Sequence, residues 1–303
     1  MSNTQQHVHS DDCDCHEVCD SIKMILAPKD KDLGGFTVRR LLPTHKMKTV
    51  GPWIFFDHMG PAQFAPGEGI NVKPHPHIGL ATVTYLFDGE MLHRDSLGSV
   101  QVIRPGDINL MVAGKGIVHS EREQTHRVEQ HRSINGLQLW IALPSEHEQR
   151  PPAFYHYPTQ DIPATEIDGV SIRVMMGDAY NLHSPVMTFS KTLYVEAHLQ
   201  PGQTLALPQV QELGVYVVQG SLQCKVSTLS QHSMAIFDEP SDMFVSANEP
   251  AHIVMIGGHT MAKRYIEWNF VSSTKELIEH AKTDWKSGHF PKVPGDDEFI
   301  PLP

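Results

Sequence analysis

From about Phe36 to residue 270 the chain is written in short runs rich in Val, Ile, Thr, Tyr and Phe, each closed by Gly, Pro, Asn or Asp, with almost no helical periodicity. Runs of that length cannot make long helices. They must pair into sheets whose apolar faces close on one another, so the chain is predicted to be all-β, a sandwich or barrel fold. The 22 Gly and 22 Pro serve as punctuation.

Three segments carry this most clearly. "TVTYLFDGEMLHRD" reads as a hairpin about Asp88-Gly89, because a two-residue type I′ turn needs positive φ at both central positions. "SVQVIRPGDINLMV" gives two strands around a Pro105-Gly106-Asp107 turn. After Asn135-Gly136, "LQLWIAL" repeats Leu137, Leu139, Ile141 and Leu143 at period two, a stripe that should face a core. The one clear helix is late. Ser273 with Glu276 suggests a capping box, Leu277, Ile278, Ala281 and Trp285 form a stripe to dock on a sheet, and Gly288 can close the end.

The 303 residues are enough for two ordinary domains. A weak internal repeat agrees with that number. Residues 75–89 lie over 206–220, matching Tyr85 with Tyr216 and Gly89 with Gly220, and 113–121 lie over 247–255. The net charge of −11, without a Lys/Arg block, argues against direct nucleic-acid binding. No apolar stretch has the length of a membrane span and no signal peptide is apparent. Three of four cysteines sit in the first 22 residues, with Cys224 alone, so there is no disulfide framework; a soluble, cytoplasmic protein is expected.

"KPHPHIGL" places His75 and His77 two residues apart, on one face of a strand. A chain with 20 histidines would carry one such pair by chance. However, "GKGIVHSE" offers His119 and Glu121 with the same spacing. Two strands each presenting a pair to one barrel interior would supply three nitrogens and one oxygen, leaving positions of a six-coordinate metal free. In the repeat, His75 and His77 fall on Ala206 and Pro208, and His119 and Glu121 on Ile253 and Met255, as one working and one structural copy would look.

"GINVKPHPHIGLATVTYLFDGEMLHRDS" followed by "RPGDINLMVAGKGIVHSE" resembles the pirin family of the cupin superfamily, over about Leu33 to Phe290. Gly69, His75 and His77 fit the first cupin motif, and Gly116 and His119 part of the second. The resemblance implies two tandem cupin barrels, of the double-stranded β-helix or jelly-roll type, and a short C-terminal helix over 273–287. The implied division is a polar, disordered tail over 1–24, a metal-binding cupin domain over 25–160 and a metal-free cupin domain over 161–303. It also implies one Fe(II), or Ni, Co, Mn or Cu, held by His75, His77, His119 and Glu121. The acidic residue that cupins often carry after the second histidine is Ala81 or Thr82 here, so ligation must rely on Glu121.

Two functions follow from the resemblance. One is a dioxygenase similar to quercetin 2,3-dioxygenases, opening a flavonol-like ring with O₂ and using Glu121 as general base. The other is a non-enzymatic iron-containing regulator that binds a transcription factor or a metabolic enzyme. A flavonol-sized cavity at the metal would favour the first, and a closed pocket the second. Neither implies membrane binding.

Other motifs are weaker. "GPWIFFDHMGPAQF" brings Trp53, Phe55, Phe56, Met59 and Phe64 together with Asp57 and His58, as core or as the wall of an aromatic pocket. His93, Arg94 and Asp95 read as an exposed, salt-bridged strand end. His7, His9, Cys13, Cys15, His16 and Cys19 match no structural zinc spacing and suggest a weak metal-binding leader. His156, His183, His198, His252 and His259 are scattered, and surface or core positions suffice for them.

Overall fold

The computed structural model describes residues 22–32, 36–124 and 128–303; the His/Cys leader over 1–21 lies outside the described residues. Two barrels are built to one plan. In the N-terminal barrel a seven-stranded antiparallel sheet runs in the order Ala153–Tyr157, Ile108–Val112, Leu80–Asp88, Arg132–Ala142, Trp53–Phe64, Thr37–Leu42 and Lys29–Asp32. Against it lies a four-stranded sheet of Asn71–His77, Ile117–Arg122, Met91–Asp95 and Val100–Ile103. The C-terminal barrel repeats the seven and the four, with Met24–Leu26, Met234–Asp238, Glu212–Gln219, Ala251–Gly258, Thr192–Leu199, Val170–Met176 and Ala164–Ile167 in its large sheet. Its small sheet is Thr204–Ala206, Phe244–Ser246, Leu222–Cys224 and Ser227–Leu229.

The chain start thus crosses to the second barrel. Ile22 is buried in its core and Leu26 in the core shared by both barrels, and Met24–Leu26 pairs with Met234–Ile236. The two large sheets face each other. Leu137, Leu139, Ile141 and Leu143 are buried in the core they share with Tyr194, Tyr216, Ile236 and Ile256 of the second barrel. The period-two stripe therefore builds the seam between barrels, each full side chain contributing roughly 1.5–3 kcal/mol. Trp53 fixes the approach by donating its indole N–H toward Leu193 O and Gly257 O, 3.1 Å from each.

The expected Asp88-Gly89 hairpin is not formed. Leu80–Asp88 pairs with Arg132–Ala142 and Ile108–Val112, while Met91–Asp95 pairs across the barrel with Ile117–Arg122 and Val100–Ile103. In a jelly roll consecutive strands change sheets, so the turn is a corner. Only Gly89 takes positive φ, at 88°, and a Cβ there would meet Ser133 O at 2.2 Å. Its repeat partner Gly220 does the same at 77°. The first repeat match therefore stands on topology, but the second does not. Ile117–Arg122 corresponds to Phe244–Ser246, and Ala251–Gly258 to Arg132–Ala142, so Ile253 and Met255 are not the counterparts of His119 and Glu121.

The helix runs Lys275–Lys286 from an N-cap at Thr274, which makes no side-chain cap bond. The capping box is replaced by a residue distant in sequence. The buried Glu148 carboxylate accepts from Ser273 Oγ at 2.5 Å and from Ser273 N–H at 2.7 Å, placing negative charge at the helix start. Ile278 and Ala281 pack on Ile78 and Phe270. The C-terminal segment so returns to the first barrel, where Ile300 N–H donates to Pro74 O.

Candidate metal centre

His75 and His77 end one strand and His119 lies on its neighbour, directly opposite His75. Pro74 cannot donate to the ladder, and beside it the register shifts by one residue, so that Glu121 faces Val72. A ligand-capable nitrogen of each of the three histidines lies within 4.8 Å of the other two. Glu121 stands beside this group, its Oε1 3.4 Å from His119 Nδ1.

Burial of all three rings decides their protonation. It holds His75 down to about 4, and His77 and His119 well below the usual imidazole value, so the rings are neutral donors at neutral pH. His75 Nδ1 donates to Lys73 O at 2.9 Å, which leaves the Nε2 lone pair free. His77 Nε2 and His119 Nε2 are 3.0 Å apart. The buried Nδ1 atoms of His77 and His119 have no well-formed hydrogen bond. Neutral, converging nitrogens short of protein partners are the donor set that a divalent transition metal takes, so these residues fit one. Burial also pushes Glu121 up to about 8, against the lowering effect of Arg122.

A cavity of about 410 Å³ opens onto the histidines and Glu121. One wall is aromatic, with Phe55 and Trp140 stacked at 4.1 Å and the edge of Trp140 set against His77. Another is polar, where Arg40 grips Asp57 through two hydrogen bonds of 2.8 and 2.7 Å beside Gln138. Burial raises the Asp57 pKa although Arg40 opposes it. Trp268, Asn269 and Ile300, from the returning C-terminal segment, complete the lining.

Strand alternation, interrupted by register shifts between Trp53 and Phe55 and between Met59 and Ala62, divides the 51–64 segment. Phe55, Asp57 and Met59 line the cavity, Phe64 packs deeper in the same barrel, and Trp53, Phe56 and His58 turn to the seam. The same alternation in "LQLWIAL" sends Gln138 and Trp140 to the cavity, a signal available beside the leucine stripe. His93 and Asp95 are not an exposed strand end. Both are buried, at 3% and 0% exposure, and bonded to each other at 3.1 Å, with His93 stacked on Phe154 beside His119. Arg94 is half-buried between them. His198 and His252 are not scattered either: the fold brings both to Glu196.

Two barrels of this plan, one of them lined by converging imidazoles, define a bicupin with a group of side chains able to hold a metal. The N-terminal half matches the family model Pirin over residues 35–141, and the C-terminal half the Pirin C-terminal cupin domain over 194–291. The chain is 44% identical to a pirin-like protein of Caulobacter vibrioides over 288 residues, covering 93% of this chain and 99% of that one. It is 29% identical to human pirin over 273 residues, covering 87% and 91%. A solved quercetin 2,3-dioxygenase from Acinetobacter baumannii superposes with a TM-score of 0.85 at 31% identity, covering 92% of this chain and 94% of that one. The chain belongs to the pirin family. Among the described residues no helix is long and apolar enough to cross a membrane.

Proposed function

We propose that this protein is a non-haem, metal-dependent dioxygenase that opens flavonol-like aromatic enols with O₂. The observation that carries this is the cavity of about 410 Å³ bordered by His75, His77, His119 and Glu121, within the roughly 300–1,000 Å³ usual for small-molecule sites. A protein that used its metal only to reshape a surface would have no need of that space, so the cavity favours the enzyme over the regulator.

In this proposal the three histidines and Glu121 hold one divalent ion, Fe(II) first and Ni, Co, Mn or Cu as alternatives. When bound, the ion supplies Lewis acidity toward the substrate oxygens and redox chemistry toward O₂. The aromatic wall of Phe55 and Trp140 stacks the planar rings, and Gln138 and the fixed Arg40–Asp57 pair orient their oxygens. Glu121, its Oε1 3.4 Å from His119 Nδ1, accepts the flavonol hydroxyl proton as general base. The similarity to the A. baumannii quercetin 2,3-dioxygenase supports the choice of substrate class.

The test follows quercetin absorbance and O₂ uptake in air. Metal-loaded wild type should consume both, and Glu121→Gln should lose at least about 100-fold in turnover, the lower range of general-base effects. A metal-replete wild type inert toward a panel of flavonols would reject the dioxygenase and leave the regulator.

A further inference from the structure

The seam between the barrels carries a second cluster. Tyr85, Leu137 and His58 stand at matched positions on adjacent strands of the first large sheet, and Tyr216, Val254 and Glu196 at the corresponding positions of the second. Each tyrosine reaches across the seam to the polar residue of the other barrel: Tyr216 Oη lies 2.7 Å from His58 Nδ1, and Tyr85 Oη donates to Glu196 Oε2 at 2.7 Å. The two ends then diverge. At one, the second nitrogen of His58 is met by Asn135 Oδ1 at 2.8 Å, the His232 ring lies edge-on at 5.4 Å, and none of the hydrogen bonds to His58 comes from a carboxylate. At the other, Glu196 Oε1 faces His252 Nε2 at 2.8 Å and His198 Nε2 at 3.9 Å.

We infer that Glu196, His198 and His252 form a second metal site, for a borderline divalent cation such as Zn²⁺, at this end of the seam. The three ligand atoms lie within 4.8 Å of one another. Ligands at about 2.0–2.2 Å from one zinc ion stand roughly 3–3.6 Å apart, so only small side-chain shifts are needed. The imidazoles stack at 4.2 Å with their planes 18° apart, an arrangement that two charged rings would resist and two neutral donors tolerate.

The carboxylate is already oriented. Tyr85 and Arg173 hold Oε2, and Arg173 is itself tied to Gly106 O and Thr159, so Oε1 alone is turned to the histidines. Glu196 and His252 are recessed, while half of the His198 side chain is exposed, which gives an ion an entry path and leaves coordination positions for water. Two nitrogens and one oxygen select zinc, copper or nickel over calcium or magnesium. The nearby Arg173 cation makes this the weaker of the two sites in the chain. The site does not depend on the proposed oxygenase chemistry.

The test is zinc titration of the full chain by calorimetry, comparing wild type with His198→Ala and with His198→Ala/His252→Ala. The leader and the His75 centre are present in all three, so the difference isolates the seam. The double variant should bind one equivalent fewer, and His198→Ala alone should weaken that equivalent at least about tenfold. Zinc should also raise the melting temperature of wild type more than that of the double variant. Identical stoichiometry, affinities and zinc-induced shifts in wild type and His198→Ala, whose exposed ring can be removed without disturbing the fold, would overturn the site.

Discussion

In the C-terminal barrel the space between the sheets is filled by Leu205, Val215, Val217, Phe237, Met243 and Val245, all buried in one cluster. The matching space in the N-terminal barrel holds three histidines, a glutamate and a cavity. The strand order is the same, yet the pair of strands that bears the three histidines and Glu121 in the first barrel, Asn71–His77 and Ile117–Arg122, shrinks to Thr204–Ala206 and Phe244–Ser246 in the second. A packed apolar interior stabilises and does nothing else. A polar interior needs longer walls to bring donors together and bulky aromatics to keep the space open. On the proposed function, stability and chemistry are separated between two copies of one architecture.

The largest expected contrast is between interiors. Phe237→Ala should cost about 3–5 kcal/mol, because a fully packed site cannot close around the lost ring. His75→Ala, bordering space that is already open, should cost under about half of that in metal-stripped protein. Urea denaturation of both variants checks this, and equal losses would break the comparison.

At the seam the two ends should differ as their charges do. Glu196→Gln removes the carboxylate that Tyr85, Arg173 and His252 share and should cost about 1–3 kcal/mol. Tyr216→Phe deletes one neutral hydrogen bond to His58 and should cost about 0.5–1.5 kcal/mol. The thermal midpoints of the two variants rank them.

A smaller effect is pH-dependent and belongs to the first barrel. In metal-stripped protein His75 is held to about 4 and His77 and His119 are also lowered, while in the unfolded chain imidazoles titrate near 6.5. Between those values the unfolded state binds more protons, so stability falls as pH drops from 6.5 toward 4. Glu121, raised to about 8, acts in the opposite sense between 4.5 and 8, where the folded state binds the extra proton. Urea midpoints at pH 7 and pH 5 should therefore fall less in His75→Asn than in wild type, and more in Glu121→Gln. The smallest effect is expected from Lys73→Ala, which breaks an exposed pair with Glu298 on the returning segment and should change stability by under about 1 kcal/mol.

Much of this was legible in residue order. Period-two alternation marked the strands, and the HPH and HSE spacings marked the three histidines that converge and the Glu121 beside them, because side chains two apart on a strand share a face. What escaped depended on long-range pairing. Asp88-Gly89 reads locally as a hairpin and becomes a corner only because the next strand joins the opposite sheet. Ser273 finds Glu148 in place of Glu276, and His93 and Asp95 are buried because their strand pairs with Ile117–Arg122 and His93 stacks on Phe154. Glu196 and His198 share the two-residue spacing, but their partner His252 lies 56 residues beyond Glu196 and only strand pairing brings it to them.

The most direct measurement is an anomalous difference map from crystals of the metal-loaded protein, recorded at the absorption edge of the loaded metal. The account predicts one strong peak inside the N-terminal barrel, about 2.0–2.2 Å from a nitrogen of each of His75, His77 and His119, with Glu121 in coordinating reach, and none within the C-terminal barrel interior. A peak absent from that position, or one bound there without two of the three imidazoles, would contradict it.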